Sequence, residues 1–427
     1  FGIAKEQKID SLFIHWPSGT KQIISNLPAN LTYRIKEKSS SKKRKAKVNP
    51  MFVKDRGSLS KIVHQEKIYD DFKRENLLPN KLSQLGSGVS WGDVDGDGDD
   101  DIFVGGSKGF PSKLYINKGK QKFENKFQPV FINDSKYEDM GSVFFDPDRD
   151  GDLDLFVVSG GVECNPGDPI LQDRLYINDG NGNFGRAAEG LIPKLNESGS
   201  VVSVADINQD GRDDLFIGGR TVPGNYPSSP RSFILINSGA RFINETQKVA
   251  PSLANAGMVT SAIFSDVNND DWPDLLVTYE WGPVRFYFND KGRLSDKTSM
   301  VGLDSKIGWF NSISPGDIDN DGDIDFIVGN TGYNTKYKAS YLNPEILYYG
   351  DFEGNGKKNI VEAKFEGNVC FPRRGLGCSS DAMPIIKERF PTYHQFAISS
   401  VDQIYSQELL DKAQKFEVNE LASAIIE

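Results

Sequence analysis

The chain has 427 residues, enough for a large core or for more than one domain. Its formal net charge of −10 argues against a general nucleic-acid binder. Apolar runs are too short for a membrane span, and three cysteines do not make a disulfide scaffold.

The first element expected is a small β-unit over residues 1–37. Leu12, Ile14 and Trp16 share one parity before a turn at Pro17, Ser18 and Gly19, and residues 22–24 and 33–35 continue the alternation. Residues 38–50 then change composition: Lys42, Lys43, Arg44, Lys45 and Lys47 are basic. This reads as a solvated linker rather than a localisation or polyanion-binding tract. Residues 1–30 do not read as a signal peptide and the chain starts on Phe1, so a piece of a longer product is expected.

Residues 51–427 are organised by a repeat. The loop Asp-x-Asp/Asn-x-Asp-Gly-x-x-Asp, or a close variant, begins at Asp93, Asp146, Asp206, Asp266 and Asp317, in steps of 53, 60, 60 and 51 residues. A fixed period of this size means one supersecondary unit built many times. A strand is expected to lead into each loop (88–91, 142–145, 201–205, 261–265, 311–314), and another to leave it (102–104, 155–157, 215–217, 275–277, 326–328). A third follows at 114–117, 175–178, 233–237 and 286–289, and a turn and short fourth strand close the unit. Four short strands per repeat is the arithmetic of a propeller blade. The fold class expected is all-β: a β-propeller of four-stranded blades, five or six of them visible. Asp351, Glu353 and Asn355 begin a worn sixth loop, and from Ser379 the pattern turns helical, so 379–427 is expected as a helical insertion or extension. Cys370 and Cys378 flank a turn-rich segment and are equally readable as a disulfide or as two thiols.

The loops carry the chemistry. A hard cation such as Ca2+ takes six to eight oxygens in a flexible shell. Side chains at positions 1, 3, 5 and 9 and the carbonyl of position 7 can supply them, with Gly at position 6 allowing the bend. In the first loop these are Asp93, Asp95, Asp97, Asp101 and the carbonyl of Asp99. The second uses Asp146, Asp148, Asp150, Asp154 and Asp152; the third Asp206, Asn208, Asp210, Asp214 and Arg212. The fourth uses Asp266, Asn268, Asp270, Asp274 and Trp272; the fifth Asp317, Asp319, Asp321, Asp325 and Asp323. In the fourth, Asp271 stands where Gly is expected, so that loop should be the most strained. An EF-hand needs Glu at position 12; Val104, Val157, Ile217, Val277 and Val328 stand there instead. Eighteen of the 60 acidic residues sit at positions 1, 3, 5 and 9, and without a cation they would repel one another. Four or five structural Ca2+ sites are therefore expected.

These units resemble FG-GAP repeats, also described as VCBS-type repeats, which form the calcium-loaded propellers of integrin α chains. The five loops, and the Gly-Gly pairs after Val104 and Ile217, carry that resemblance. Ile14, Trp16, Pro17, Ser18 and Gly19 are similar to the ASPIC/UnbV signature, with His15 where an Arg usually stands. The resemblance implies a secreted or cell-surface, calcium-dependent binding or adhesion protein with a protein or glycan ligand, and no membrane span in this chain. The candidate contact loops are 160–171, 221–230 and 333–341, rich in Gly, Pro, Tyr or Asn. The alternative is a carbohydrate-active enzyme, a lyase or hydrolase on a propeller. Only three histidines, His15, His64 and His394, are present, and no catalytic constellation is identifiable, so no catalytic role is expected.

Overall fold

A computed structural model describes residues 6–17, 19–37, 57–120 and 122–427, with Ser58 described by its backbone alone. The basic stretch 38–50 lies outside these residues. The chain divides into two compact units, Phe1–Arg56 and Gly57–Glu427.

In the first unit Lys8–His15 and Lys21–Pro28 form an antiparallel pair, with Lys8 opposite Pro28 and His15 opposite Lys21. The turn closes with the Trp16 amide donating to the Thr20 carbonyl at 2.8 Å. A third strand at 33–35 does not form, contrary to the expectation from alternation. Residues 31–37 carry no regular structure. Pro28 ends the second strand and Asn30 turns through a φ of 59°, so the pairing stops there.

The second unit is built of blades. The first blade comprises Val89–Gly92, Asp101–Val104, Lys113–Asn117 and Phe123–Lys126, hydrogen-bonded in that order. The second has Asp139–Phe145, Asp154–Ser159, Arg174–Asn178 and Phe184–Arg186. Gly199–Ala205, Asp214–Gly219, Phe233–Asn237 and Phe242–Asn244 make the third. The fourth is Met258–Ser265, Asp274–Gly282, Arg285–Asn289 and Leu294–Asp296.

The second strand of the first three blades is buried on both faces, which is why it reads as a continuous apolar run rather than an alternating one. Its two parities serve different interfaces. Leu155 and Val157 pack with Phe103 and Leu114 of blade one, whereas Phe156 and Val158 pack with Leu215 and Ile217 of blade three. Leu275 and Val277 join Phe216 of blade three, and Leu276 joins Phe326 and Val328 of blade five. Each blade thus cannot bury its faces alone, and the repeats must stack. First strands of neighbouring blades approach backbone to backbone. A Cβ built on Gly141 would lie 2.8 Å from the Ser200 carbonyl oxygen, so only glycine fits there.

The fifth blade has Gly308–Gly316 and Asp325–Asn330, and its third strand is Ala424–Ile426 from the far end of the unit. The sixth has Glu345–Gly350, Asn359–Glu366 and Val369–Pro372, with Gln414–Val418 paired to the other side of Glu345–Gly350. The expectation of helix across 379–427 is therefore corrected. Short helices occupy Leu376–Ala382, Ile385–Arg389, Tyr393–Ile398, Val401–Tyr405 and Gln407–Lys412, and the chain then returns to the sheets. Met383, Ile386, Phe396, Ile404 and Tyr405 bury against Leu347, Val361 and Phe352 of the sixth blade. The returning strands cover edges that would otherwise present unpaired amides and carbonyls. Cys164, Cys370 and Cys378 are free thiols.

Candidate metal centres

Every loop sits between the first and second strands of its blade, and the first four share one position-1 scaffold that Asp317 of the fifth does not reproduce. The position-1 carboxylate is a hub for backbone amides. Asp93 accepts from Gly96 at 2.8 Å, Asp97 at 3.1 Å and Gly98 at 2.8 Å. Asp146 accepts from Arg149 and Gly151, Asp206 from Asp210 and Gly211, and Asp266 from Asp270 and Asp271. The position-5 carboxylate accepts the amide of position 7: Asp97 from Asp99, Asp150 from Asp152, Asp210 from Arg212, Asp270 from Trp272 and Asp321 from Asp323. These bonds curl the chain around a common centre.

Position 9 opens the second strand and is buried. Asp101, Asp154, Asp214, Asp274 and Asp325 are at most 2% exposed. One oxygen accepts the amide of the Asn that ends the third strand: Asn117 at 2.7 Å, Asn178 at 2.8 Å, Asn237 at 2.8 Å and Asn289 at 2.7 Å. The other accepts the amide of position 2, from Val94, Ile207, Val267 and Ile318. In the second loop position 2 is Pro147, which has no N–H. The Asp154 Oδ2 is accordingly buried without a hydrogen-bond partner. Burial, with the charges of Asp148, Asp150 and Asp146 beside it, pushes the Asp154 carboxyl up to about 7. Burial likewise pushes Asp214 to about 7 and raises Asp101 and Asp274.

Three loops bring three carboxylates within 4.8 Å of one another: Asp93, Asp95 and Asp101; Asp146, Asp148 and Asp150; Asp317, Asp319 and Asp325. Asp154, whose Oδ2 is free, is not part of the second loop's trio, whereas Asp101 and Asp325 belong to theirs. The third and fourth loops, with Asn208 and Asn268 at position 3, form no such trio among the described residues. There Asn208 accepts the Asp210 amide at 2.9 Å, and Asn268 donates to Asp270 at 3.0 Å. Basic side chains reach two loops: Lys118 lies 3.2 Å from Asp95, and Arg212 3.2 Å from Asp210. The strain expected in the fourth loop is present. Asp271 adopts a φ of 68° where the other loops place glycine at 82° to 101°. Position 4 also turns left-handed, at Gly96, Arg149, Gln209, Asn269 and Asn320. The worn sixth loop keeps the scaffold, with Asp351 accepting from Glu353, Gly354, Asn355 and Gly356. Its Glu362 is instead held by Tyr337 and Arg374.

The third-strand asparagines are the residues sequence reasoning missed. Besides holding position 9, three of them donate their side-chain amide across a blade boundary, Asn178 to the Val94 carbonyl, Asn237 to Pro147 and Asn289 to Ile207, at 2.9 to 3.0 Å, whereas Asn117 donates to the Asp100 carbonyl of its own blade. Their recurrence at the end of the third strand in the first four blades was the available signal.

Of the candidate contact loops, 221–230 is not a free surface. Tyr226 within it is 1% exposed and bonds Glu280 and Trp281. Loop 160–171 buries Val162 and Leu171, and Arg74 caps the Val162 and Cys164 carbonyls. In 333–341, Tyr333 and Tyr341 are exposed. Among the described residues no helix is long and apolar enough to cross a membrane.

Comparison with known proteins follows the same lines. The FG-GAP-like repeat model matches residues 93–157, 146–217 and 266–328, and the ASPIC and UnbV model matches residues 1–42. No curated protein matches the chain. Among solved structures, BBS1N in complex with ARL6DN is similar at 13% identity and a TM-score of 0.35, covering 72% of this chain and 83% of that one. An exo-beta-1,3-galactanase from Bifidobacterium bifidum s17 aligns at 9% identity and a TM-score of 0.33, over 68% of this chain and 91% of that one. The V. cholerae biofilm matrix protein Bap1 aligns at 17% and 0.31, over 66% of this chain and 38% of its own. Likenesses this distant say nothing of function. The repeats, their loops and the stacked four-stranded sheets make the second unit a β-propeller carrying FG-GAP-like repeats over residues 93–217 and 266–328, and the N-terminal residues 1–42 match the ASPIC and UnbV model.

Proposed function

We propose that the protein is a calcium-stabilised binding module acting outside the cytoplasm, secreted or at a cell surface, with a protein or glycan as its ligand. The observation that carries the metal reading is the second loop. A buried carboxylate oxygen with no partner, in a loop whose Asp146, Asp148 and Asp150 carboxylates lie within 4.8 Å of one another, is costly unless a cation completes the loop. Asp146, Asp148, Asp150 and Asp154 would hold that cation. Asp93, Asp95 and Asp101 would hold another, and Asp317, Asp319 and Asp325 a third. An all-oxygen donor set suits Ca2+. The cation supplies charge neutralisation and pins the hairpin, a structural role. Asp206, Asn208, Asp210 and Asp214, and Asp266, Asn268, Asp270 and Asp274, are weaker sites on this reading, because each has one carboxylate fewer. Low-affinity, all-oxygen sites match the calcium levels met outside cells.

Thermal unfolding with calcium, with magnesium and with chelator, alongside calorimetric counting of bound metal, tests this. A calcium-specific rise in midpoint with three to five sites supports it. No bound metal and no shift would leave five acidic turns and remove the calcium reading.

A further inference from the structure

On the face opposite the acidic loops, where second strands end and first strands begin, a cavity of about 250 Å3 opens between blades. Arg220 reaches it from the end of blade three, Glu280 and Trp281 from blade four, and Trp309, Lys336 and Tyr337 from blade five and the segment after it. Its polar wiring is unbalanced. Glu280 accepts from the Tyr226 hydroxyl at 2.6 Å through one oxygen and from Arg220 Nη2 through the other. The Tyr226 hydroxyl accepts the Trp281 indole N–H at 2.7 Å. Both Glu280 oxygens are therefore used, while Arg220 Nη1 is buried and has no partner. Arg220 is only 8% exposed. An unpaired guanidinium donor at that depth calls for an acceptor from outside.

The rest of the wall specifies the shape of that acceptor. Trp281 meets Trp309 edge-on at 4.9 Å, and Trp309 meets Tyr337 at 4.5 Å with planes tilted 56°. Exposed Lys336 carries its Nζ 5.0 Å from the Tyr337 ring centre. With Glu280 neutralised by Arg220, the cavity is left with the positive charge of Lys336 in a chain whose net charge is −10. Aromatic walls take the C–H faces of a ring, and a rim cation with a buried guanidinium donor takes an anion. The volume lies just below the ~300–1,000 Å3 of sites for drug-sized ligands, so one ring enters and the remainder of its chain leads out.

The geometry points to an acidic saccharide as the occupant: a hexuronate unit whose carboxylate pairs with Lys336 on the side of the Arg220 guanidinium and whose ring lies against Trp281, Trp309 and Tyr337. This rests on the reading of the propeller as a binding module and locates that module's seat.

The test titrates the full chain in calcium buffer with oligogalacturonate and oligoglucuronate, and with neutral oligosaccharides of the same length, by calorimetry and tryptophan fluorescence. Saturable binding of uronates, with a fluorescence change from Trp281 and Trp309 and no binding of neutral sugars, is expected. Lys336→Ala should weaken it several-fold. Because Arg220→Gln alone strands the Glu280 carboxylate, the pair Arg220→Gln with Glu280→Gln is used, and about tenfold weaker binding at an unchanged melting point is expected. Equal binding of neutral sugars, or uronate binding that both variants leave intact, overturns the proposal. A panel of proteins and neutral glycans in the same buffer separates the two readings. A ligand found there and unaffected by the double variant sinks this seat but keeps the module. No ligand at all sinks both.

Discussion

Asp154→Asn separates the two things a loop carboxylate does. In the metal-free protein the Asp154 carboxyl, ordinarily at 3.8, is pushed up to about 7. At pH 8 it is ionised in both states, and holding that charge in the fold costs about 4 kcal/mol. Asparagine removes the charge and keeps an oxygen for the Asn178 amide, now at 2.8 Å. It also leaves an amide where Oδ2 had no partner, at about 1–3 kcal/mol. The net gain in chelator is about 1–3 kcal/mol. For a unit of roughly 370 residues an unfolding entropy of about 0.8 kcal/mol/K turns this into a rise of about 1–4 °C. With calcium at a hundred times its dissociation constant, each site adds about 2.7 kcal/mol. The variant loses that increment at the second loop, so its calcium-induced rise shrinks by about 3 °C. Differential scanning calorimetry of both proteins, with chelator and with calcium at pH 8, gives the four midpoints. The reasoning is refuted if the variant melts lower in chelator, or if its calcium-induced rise equals the parent's.

The same shifts set a pH dependence. Asp154 and Asp214 titrate near 7 in the metal-free fold and near 4 unfolded, so metal-free stability should fall as pH rises from about 4 through about 7; urea midpoints in chelator across that range check it, and a rise would contradict it. Asp271→Gly relieves a left-handed residue while keeping the amide bond to Asp266, and should stabilise by about 0.5–1 kcal/mol, read as a higher denaturation midpoint at unchanged slope. Gly141→Val drives a side chain into Ser200 and Val201 backbone atoms 2.8 to 2.9 Å away, and should cost about 3 kcal/mol or abolish folding; an unchanged midpoint would show that the first strands separate easily.

The acidic loops were legible because their chemistry is local. Ligand spacing, the glycine bend and the strands on either side all fall within a few residues, and the backbone scaffold of Asp93 recurs in Asp351 even where most ligands are gone. The difference of the second loop was in plain view as Pro147, but its meaning was not. Only the fold shows that the amide of position 2 serves the carboxylate of position 9. The third strand of blade five was illegible for another reason. A three-residue strand, Ala424–Ile426, has no period to read, and its partner Phe326–Val328 lies about a hundred residues earlier.

What the sequence determined by itself is what repetition and short-range spacing encode: an all-β repeat, its blade length and the position of each acidic turn. Tertiary structure alone decided which carboxylate oxygens, of Asp95 and Asp154, are left without a partner, how the last strands close two blades, and that Arg220, Glu280, Trp281, Trp309 and Tyr337 share one cavity. The cavity residues come from different blades. Nothing in a linear pattern reports them, because it is the stacking of blades that brings them within reach.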